Sequence, residues 1–447
     1  MAEYLTRKRI ETEFGGIAQI NGVIGKGRQS IVYRVETNTQ KKALKWYDTD
    51  KIKNIEQIHE NIRRNIVDGK PDRRFLWPEY TTITDNSTGA FGYFMELRTD
   101  DFEYFADVVR GYKFVINSET GNPIKKKVRF SSLYAMITTV INIIDSFRQI
   151  NALGKSFQGL SEGSFFINTD TGEILVSDCD TIAPYGTDLD IKIRSEYKAP
   201  EVIMGKLPDE KSDMYSLALI LFRLLFRGDA FEGEKTVMDV CLNEKEIAKH
   251  YSTDAVFIYD PDNNSNRALN GIHDNVIKFW NEYPEYIKEA FTYSFTVGIN
   301  NPEKRIRFEE WLNLFVRLRT EILCCMCGKS SFISMNASPE DEVFVCPVCN
   351  LKYASMKFTD RLYRMPLCIG GKIFACDLDP STDDLLTVDG EIVENKIRKG
   401  LMGIKNHSRK KWSVFLPDGM YHDVEYSKGF PVWQGLKIDF GKIKAEL

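Results

Sequence analysis

The chain has 447 residues, enough for two or three domains, and its 43% hydrophobic and 28% charged residues are typical of a folded globular protein. The formal net charge of −4 gives no reason to expect nucleic-acid binding. The first residues are charged and lack an apolar stretch, so no signal peptide is expected, and the longest apolar run, Leu217–Phe222, is too short to span a bilayer. These features predict a cytoplasmic protein.

The first part of the chain alternates strand-like runs with turns rich in Gly, Asn and Asp. One helix, Lys51–Val67, is predicted between them, because isoleucines recur there at helical spacing. The predicted strands are Ile17–Ile24, Ser30–Glu36, Lys42–Tyr47, Tyr80–Thr84 and Gly92–Leu97.

Residues from about 130 to 322 are predicted to be mostly helical, with long apolar-periodic segments at Leu133–Ile150 and Met214–Leu225. From Cys324 the pattern changes to cysteine-rich hairpins, and from Leu367 to short strands and turns. A small sheet-rich part followed by a larger helical part predicts an α+β fold, with a small all-β module at the end.

A glycine-containing segment, Gly25–Ser30, joins two predicted strands and reads Gly-Lys-Gly-Arg-Gln-Ser. Glycines let backbone N–H groups approach phosphates closely, although two glycines alone are a weak signal. Lys45 follows on the next strand in Ala-Leu-Lys, which resembles the Val-Ala-Ile-Lys element of protein kinases, whose lysine holds the α- and β-phosphates of ATP. A glutamate on the following helix should pair with it. Glu56 and Glu60 are both candidates, and neither lies cleanly on the inward face.

Three motifs follow in the helical part. Tyr197–Glu201 ends in Ala-Pro-Glu, Asp213 opens Asp-Met-Tyr-Ser at the start of a long helix, and Arg305 ends Asn-Pro-Glu-Lys-Arg. In this order and spacing they resemble the protein-kinase family over about residues 14–322. The resemblance implies a bilobal protein-kinase fold, with an N-lobe at about 14–98 and a C-lobe at about 99–322. It also implies a Glu201–Arg305 ion pair and an Asp213 that braces the catalytic loop.

More narrowly, the chain resembles bacterial kinase-like proteins of tellurite-resistance-type operons, which occur beside a von Willebrand A-domain protein and a metal-dependent Ser/Thr phosphatase. The similar segments are Phe75–Pro78, Phe91–Met95, Gly163–Ile167 and Leu221–Phe222. The resemblance implies that one or both of those proteins are partners, without nucleic acid or membrane. The nucleotide-binding residues that it implies are Gly25, Gly27, Ser30, Lys45, Met95, Glu96, Arg98 and Asp178.

The catalytic loop departs from the kinase pattern His-Arg-Asp-Leu-x-x-x-Asn. The segment Phe157–Ser164 reads Phe-Gln-Gly-Leu-Ser-Glu-Gly-Ser, so Gly159 stands where the general base should be and Ser164 replaces the metal-binding asparagine. A general base typically contributes about 10²–10⁴-fold to a rate, so little kinase activity is expected. Glu162 is the nearest carboxylate that could substitute, and a solvated loop charge is its simpler interpretation.

The metal-binding aspartate is retained. Asp178 follows the apolar run Ile174–Val176, and Asp180 stands two residues later at the usual glycine position. A two-residue shift of the alignment would exchange their roles, so Asp178, Asp180 and Ser164 are the candidate Mg²⁺ ligands.

These features predict a pseudokinase that binds Mg-ATP and acts as a scaffold or regulator of its partner. The alternative is a weak or atypical Ser/Thr kinase or an AMP-transferring enzyme. A third hypothesis is a phosphoprotein-binding adaptor that acts through the tail.

Two Cys-x-x-Cys pairs predict a zinc ribbon at 323–358, because two such hairpins supply the four tetrahedral thiolates of structural zinc. The expected ligands are Cys324, Cys327, Cys346 and Cys349. Cys325 is then spare, and a Cys325-x-Cys327 pair is the rarer alternative. The remaining cysteines, Cys179, Cys241, Cys368 and Cys376, are predicted to be core residues.

The tail at 366–447 resembles the forkhead-associated type of β-sandwich, through Gly403–Ser408 and Gly435–Phe440. In that family an arginine and a serine grip a phosphothreonine. Arg398 and Ser408 are the candidates, although ordinary surface positions are the simpler interpretation of both.

Overall fold

The computed structural model describes residues 9–27, 29–47, 52, 54–85, 88–191, 195–238, 243–335 and 341–447. The architecture is mixed α/β: an antiparallel sheet with one helix, then a mainly helical region, then an all-β region. Within these ranges, no helix has the length and apolar character needed to cross a membrane.

The first sheet has six antiparallel strands, in which the sixth strand of the chain lies between the fourth and the fifth, and the helix after the fourth strand packs against the sheet through Ile58 and Ile62. The elements are β1 (Arg9–Glu11), β2 (Ile17–Lys26), β3 (Ser30–Glu36), β4 (Lys41–Tyr47), α1 (Ile55–Asp68), β5 (Tyr80–Thr81) and β6 (Gly92–Glu96). The predicted start of the helix at Lys51 lies outside the described residues.

The helical region is built around two long helices, α3 and α5, which are buried on nearly every face. A capping box between Asp209 and Ser212 fixes the start of α5. The elements are β7 (Glu103–Tyr104), α2 (Phe105–Arg110), β8 (Tyr112–Ile116), β9 (Pro123–Lys127), α3 (Leu133–Ala152), β10 (Lys155–Phe157), β11 (Phe165–Ile167), β12 (Ile174–Val176), β13 (Ile182–Pro184), α4 (Pro200–Ile203), α5 (Glu210–Phe226), α6 (Glu234–Met238), α7 (Glu244–His250), α8 (Asp274–Trp280), α9 (Glu285–Asn300) and α10 (Phe308–Thr320).

The all-β region begins directly after α10. Its elements are β14 (Ile322–Cys324), β15 (Ser330–Phe332), β16 (Val343–Val345), β17 (Lys352–Phe358), β18 (Arg364–Pro366), β19 (Lys372–Phe374), α11 (Ala375–Leu378), β20 (Val388–Glu394), β21 (Met402–Asn406), β22 (Trp412–Phe415), β23 (Tyr421–Val424), β24 (Gly429–Pro431), β25 (Lys437–Asp439) and β26 (Lys444–Glu446).

A seven-stranded and a four-stranded sheet share one hydrophobic core in this region, with Trp412 fully buried between them. Strand β17 pairs with β16 on one side and with β18 and β26 on the other. The second cysteine hairpin and the tail, which the sequence assigns to separate domains, are therefore joined by a common sheet, whereas β14 and β15 form a separate two-stranded sheet.

Candidate nucleotide and metal sites

Lys45 lies at the centre of a buried charge cluster between the first sheet and the helical region. Its ammonium contacts Asp178 Oδ1 at 2.8 Å and Asp180 Oδ1 and Oδ2 at 2.8 and 3.0 Å. Strand β4 supplies the lysine, and both aspartates follow β12, Asp178 in a left-handed backbone conformation with φ of 54°. Two segments more than 130 residues apart in sequence thus form one site.

Lys45 and two tyrosines donate hydrogen bonds to the carboxylate of Asp180. Tyr47 donates to its Oδ2 at 2.5 Å and Tyr93 donates to its Oδ1 at 2.7 Å, in addition to the contacts with Lys45. Burial alone would raise the pKa of Asp180, but Lys45 outweighs it and lowers that pKa below its usual value. Burial would likewise lower the pKa of Lys45, and the two aspartates raise it instead. Both groups are therefore charged at neutral pH.

The three candidate Mg²⁺ ligands differ in whether they have an oxygen free to bind a cation. Both oxygens of Asp180 are hydrogen-bonded to Lys45 and to the tyrosines, so Asp180 is a partner of Lys45 here, and its role as a metal ligand stays a prediction. Asp178 is about 30% exposed, and in the described residues its Oδ2 takes part in no hydrogen bond. Ser164 is buried, and its hydroxyl accepts the backbone N–H of Ser161 at 2.9 Å. Asp178 alone keeps a free carboxylate oxygen for a cation.

Helix α1 reaches the site through amides rather than through a glutamate. Glu56 and Glu60 are both exposed, and among the described residues neither contacts Lys45. Instead, Asn61 donates to the carbonyls of Asp180 and Ile182, and Asn65 to those of Cys179 and Ile182, at 2.9–3.1 Å. The asparagines fix the turn that carries both aspartates.

Sequence reasoning missed these contacts, although a signal was present. Asn61 and Asn65 are four residues apart and share the face of α1 that Ile58 and Ile62 bury. Buried polar side chains need hydrogen-bond partners, so two amides on an apolar face indicate a specific contact. Tyr47 and Tyr93 carry no comparable signal in the sequence.

The other predicted nucleotide-binding residues lie on the first sheet, in its β2–β3 hairpin, or directly after its strand β6. Gly25 and Gly27 lie in the β2–β3 hairpin, where Gly27 N–H donates to Ser30 O at 2.8 Å. Met95 lies in a hydrophobic cluster with Ala43 and Phe166. At the end of the same strand, Glu96 pairs with Lys70 at 2.8 Å, and the Arg98 guanidinium lies 4.6 Å from the centre of the Phe166 ring.

A side chain at position 159 would collide with Thr181 in its present position. A Cβ atom on Gly159 would lie 2.3 Å from Thr181 Oγ1 and 2.5 Å from Thr181 Cβ, well inside contact distance. The preceding Gln158 is buried and binds the chain at 187–189, donating to Thr187 O at 2.7 Å and accepting from Leu189 N–H at 3.2 Å. Glu162 is half-exposed, and within the described ranges it lies 4.0 Å from the guanidinium of Arg223.

The structure brings together the residues that were predicted to brace this region. Arg305 donates to both oxygens of Glu201 at 2.6 and 2.8 Å, and both side chains are largely buried. Asp213 accepts the backbone N–H of Phe157, at the start of the Gly159 loop, and the amide of Asn151 at 3.1 Å. Burial raises the pKa of Asp213 well above its usual value.

A second site lies in the all-β region, where the thiols of Cys325, Cys327, Cys346 and Cys349 all fall within 4.8 Å of one another. Zinc–sulfur bonds of about 2.3 Å in a tetrahedron place thiolates roughly 3.8 Å apart, so these four thiols fit a zinc ion. Hydrogen bonds from Cys327 N–H and Tyr353 outweigh burial and lower the pKa of Cys325 to about 6. The thiolate form that a metal requires is therefore favoured at Cys325. At Cys349, the hydrogen bond from Leu351 N–H lowers the pKa, but burial and the hydrogen bonds with Cys325 and the neighbouring thiols outweigh it and raise that pKa to about 12.

The structure corrects one predicted ligand. Cys324 lies outside the cluster, and its backbone N–H donates to the thiol of Cys368 at 3.2 Å. The reason is the shape of the two hairpins: Cys325 and Cys346 each donate their N–H to the carbonyl two residues after the second cysteine of the pair. Left-handed Gly328 and Asn350 follow those second cysteines. The two hairpins share this hydrogen-bond pattern, but the first has one residue fewer between its two cysteines.

Of the other predictions, Cys179, Cys368 and Cys376 are buried, whereas Cys241 lies outside the described residues. Ser408 is also buried, and its hydroxyl is used within a turn by Asn406 Oδ1 and Lys410 O. It is not available to grip a phosphate. Arg398 is exposed in the β20–β21 loop. Neither a scan against protein-family models nor a search of curated proteins finds a match to this chain.

Proposed function

We propose that residues 14–322 form a bilobal protein-kinase fold that binds Mg-ATP without transferring its phosphoryl group. The observation that carries this proposal is the contact at Gly159, where Thr181 fills the space that a general base would need. Phosphoryl transfer to a hydroxyl depends on a positioned base and on metal ions that neutralise the developing charge. The general base is missing here, and among the candidate metal ligands only Asp178 keeps a free carboxylate oxygen.

Nucleotide binding is supported by what the chain retains. Lys45 and Asp178 provide one cation and one partly exposed carboxylate at the same point, as a magnesium-bound triphosphate requires. Ala43, Met95 and Phe166, with Val32 packed against them, offer an apolar surface for a base. Asp180 takes the place of the missing helix glutamate by holding Lys45 in position.

A protein that binds nucleotide without transferring its phosphoryl group acts through the surface that it presents to other proteins. We therefore infer a scaffold or regulator role toward a partner, and the resemblance noted above favours a metal-dependent Ser/Thr phosphatase or a von Willebrand A-domain protein. Gln158 binds residues 187–189 through its side-chain amide, which supports a fixed position for this segment beside the Gly159 loop.

Melting temperature tests the binding step. Mg-ATP should raise the melting temperature of the wild-type chain, since a ligand that binds only the folded state stabilises it. Asp178→Asn should remove the magnesium-dependent part of that increase. Asp170→Asn is the matched control, because Asp170 is an exposed aspartate in the turn at the opposite end of the β11–β12 hairpin. Equal increases in all three proteins would contradict the proposed site.

A further inference from the structure

A cavity of about 570 Å³ lies between the helical region and the first cysteine hairpin, away from the nucleotide site. Its walls are largely apolar and include Leu133, Met136, Leu224 and Phe332. Volumes of 300–1,000 Å³ with apolar walls and a few polar groups are typical of small-molecule sites. The size and lining of this cavity therefore suit an organic ligand rather than a simple ion.

Two arginines give the cavity its charge. Arg227 ends α5 in a left-handed conformation with φ of 54°, and its guanidinium lies 4.8 Å from the centre of the Phe279 ring. Arg129 also lines the cavity. Across the described ranges, neither guanidinium forms an ion pair or hydrogen bond; Arg227 is half-buried, and Arg129 is exposed.

The surroundings of Arg227 leave it poorly compensated. Burial lowers the pKa of Arg227 and Tyr283 opposes this shift, while Arg129 lowers the pKa further and the exposed Glu282 opposes it. Gly111 packs against the guanidinium so closely that a Cβ there would lie 3.0 Å from its Nη1. A partly desolvated cation without an anion is costly, so a bound anion would be favoured here.

We propose that this cavity binds a medium-chain aliphatic carboxylate, with the carboxylate on Arg227 and Arg129 and the chain along the apolar wall. Two arginines and one glutamate in the lining leave a single net positive charge, which suits a monoanion better than a phosphate dianion. The planar guanidinium matches a carboxylate through paired N–H donors. The apolar wall accounts for an aliphatic chain rather than a small polar acid.

Calorimetric titration of the full chain with decanoate tests the proposal. Saturable binding is expected, with 1-decanol and butyrate at least about tenfold weaker because each lacks one of the two recognised groups. Arg227→Gln should weaken decanoate binding about tenfold or more. Arg110→Gln should leave it unchanged, since Arg110 lies nearby on α2 but pairs with Asp107.

A second variant keeps the test decisive if Arg227→Gln fails to fold. Leu133→Trp fills the apolar wall without changing charge and should abolish decanoate binding at an unaltered melting temperature. The proposal is overturned if decanoate shows no saturable binding below its micelle concentration, if decanol binds equally well, or if folded Arg227→Gln or Leu133→Trp retains wild-type affinity.

Discussion

Asp180 is the residue on which the candidate nucleotide site depends. Its carboxylate balances the charge of the buried Lys45 ammonium and accepts hydrogen bonds from two tyrosines. Both of its oxygens are therefore hydrogen-bonded. Breaking a buried ion pair from one side costs more than the pair itself contributes, because the remaining charge loses its partner. Lys45 would then rely on Asp178, which is partly exposed.

Asp180→Asn is therefore expected to lower the free energy of unfolding by about 3–5 kcal/mol, measured by urea denaturation at pH 7. Asp178→Asn removes a more exposed carboxylate from the same lysine and should cost clearly less. Equal losses for the two variants would contradict the assignment of Asp180 as the main partner of Lys45.

The difference in stability between wild type and Asp180→Asn should also depend on pH. The pKa of Asp180 is lower in the folded than in the unfolded chain, so its stabilisation is present above the unfolded value and is lost as pH falls through the folded value. Urea denaturation should give a constant difference between about pH 5 and 9 and a narrowing one below about pH 4. Narrowing already between pH 5 and 7 would be inconsistent with this cause.

At the scale of single residues, the sequence predicts which residues lie together better than it predicts the role of each residue. Lys45 and Asp178 were predicted from their distance to other motifs and lie together in the structure. The role of Asp180 could not be predicted, because it depends on Tyr47 and Tyr93 from two neighbouring strands of another part of the fold. A pattern along one segment carries no information about such partners.

At the scale of elements, the two cysteine hairpins show how a local rule fails. The Cys-x-x-Cys spacing selects Cys324, yet the turn that ends in left-handed Gly328 brings Cys325 into the cluster. Cys325→Ser should therefore lose bound zinc, whereas Cys324→Ser should keep one zinc per chain, as measured by elemental analysis after dialysis. The reverse result would restore the prediction from spacing.

The Glu201–Arg305 pair joins the short helix α4 to the segment before α10. Glu201→Gln should lower the free energy of unfolding by about 3–5 kcal/mol, since Arg305 would remain buried without its anion. Glu303→Gln is the control: this exposed glutamate pairs with Lys211 close by, and its loss should change little. If the denaturant titrations of the two variants coincided, burial of the Glu201–Arg305 pair would be unimportant for stability.

At the scale of the whole molecule, the all-β region is not an independent appendage. Arg319 of α10 is fully buried, lies 3.5 Å from the centre of the Phe374 ring and donates to Cys376 at 3.2 Å. Thr320 donates to Asp377 at 3.0 Å. Phe374 and Cys376 belong to the same hydrophobic cluster as the helical core. Boundaries read from changes in sequence pattern cannot show such shared cores, because they depend on packing between distant segments.

Loss of zinc should therefore act beyond the cysteine hairpins. In Cys346→Ser, amide hydrogen exchange is expected to rise in β16, in β17 and in β26, which pairs with β17, while β2–β4 stay protected. Exchange that rises only within residues 322–350 would show that the shared sheet does not couple the two parts.

The central claim is that the chain binds ATP and leaves it intact. The most direct measurement is to incubate the protein with Mg²⁺ and ATP labelled at the α- or γ-phosphate, isolate the protein and identify the nucleotide that it carries. We predict intact ATP on the wild type, no label on either polypeptide, and less bound ATP on Asp178→Asn than on the wild type. Label transferred to the polypeptide, or failure to retain nucleotide, would contradict the account.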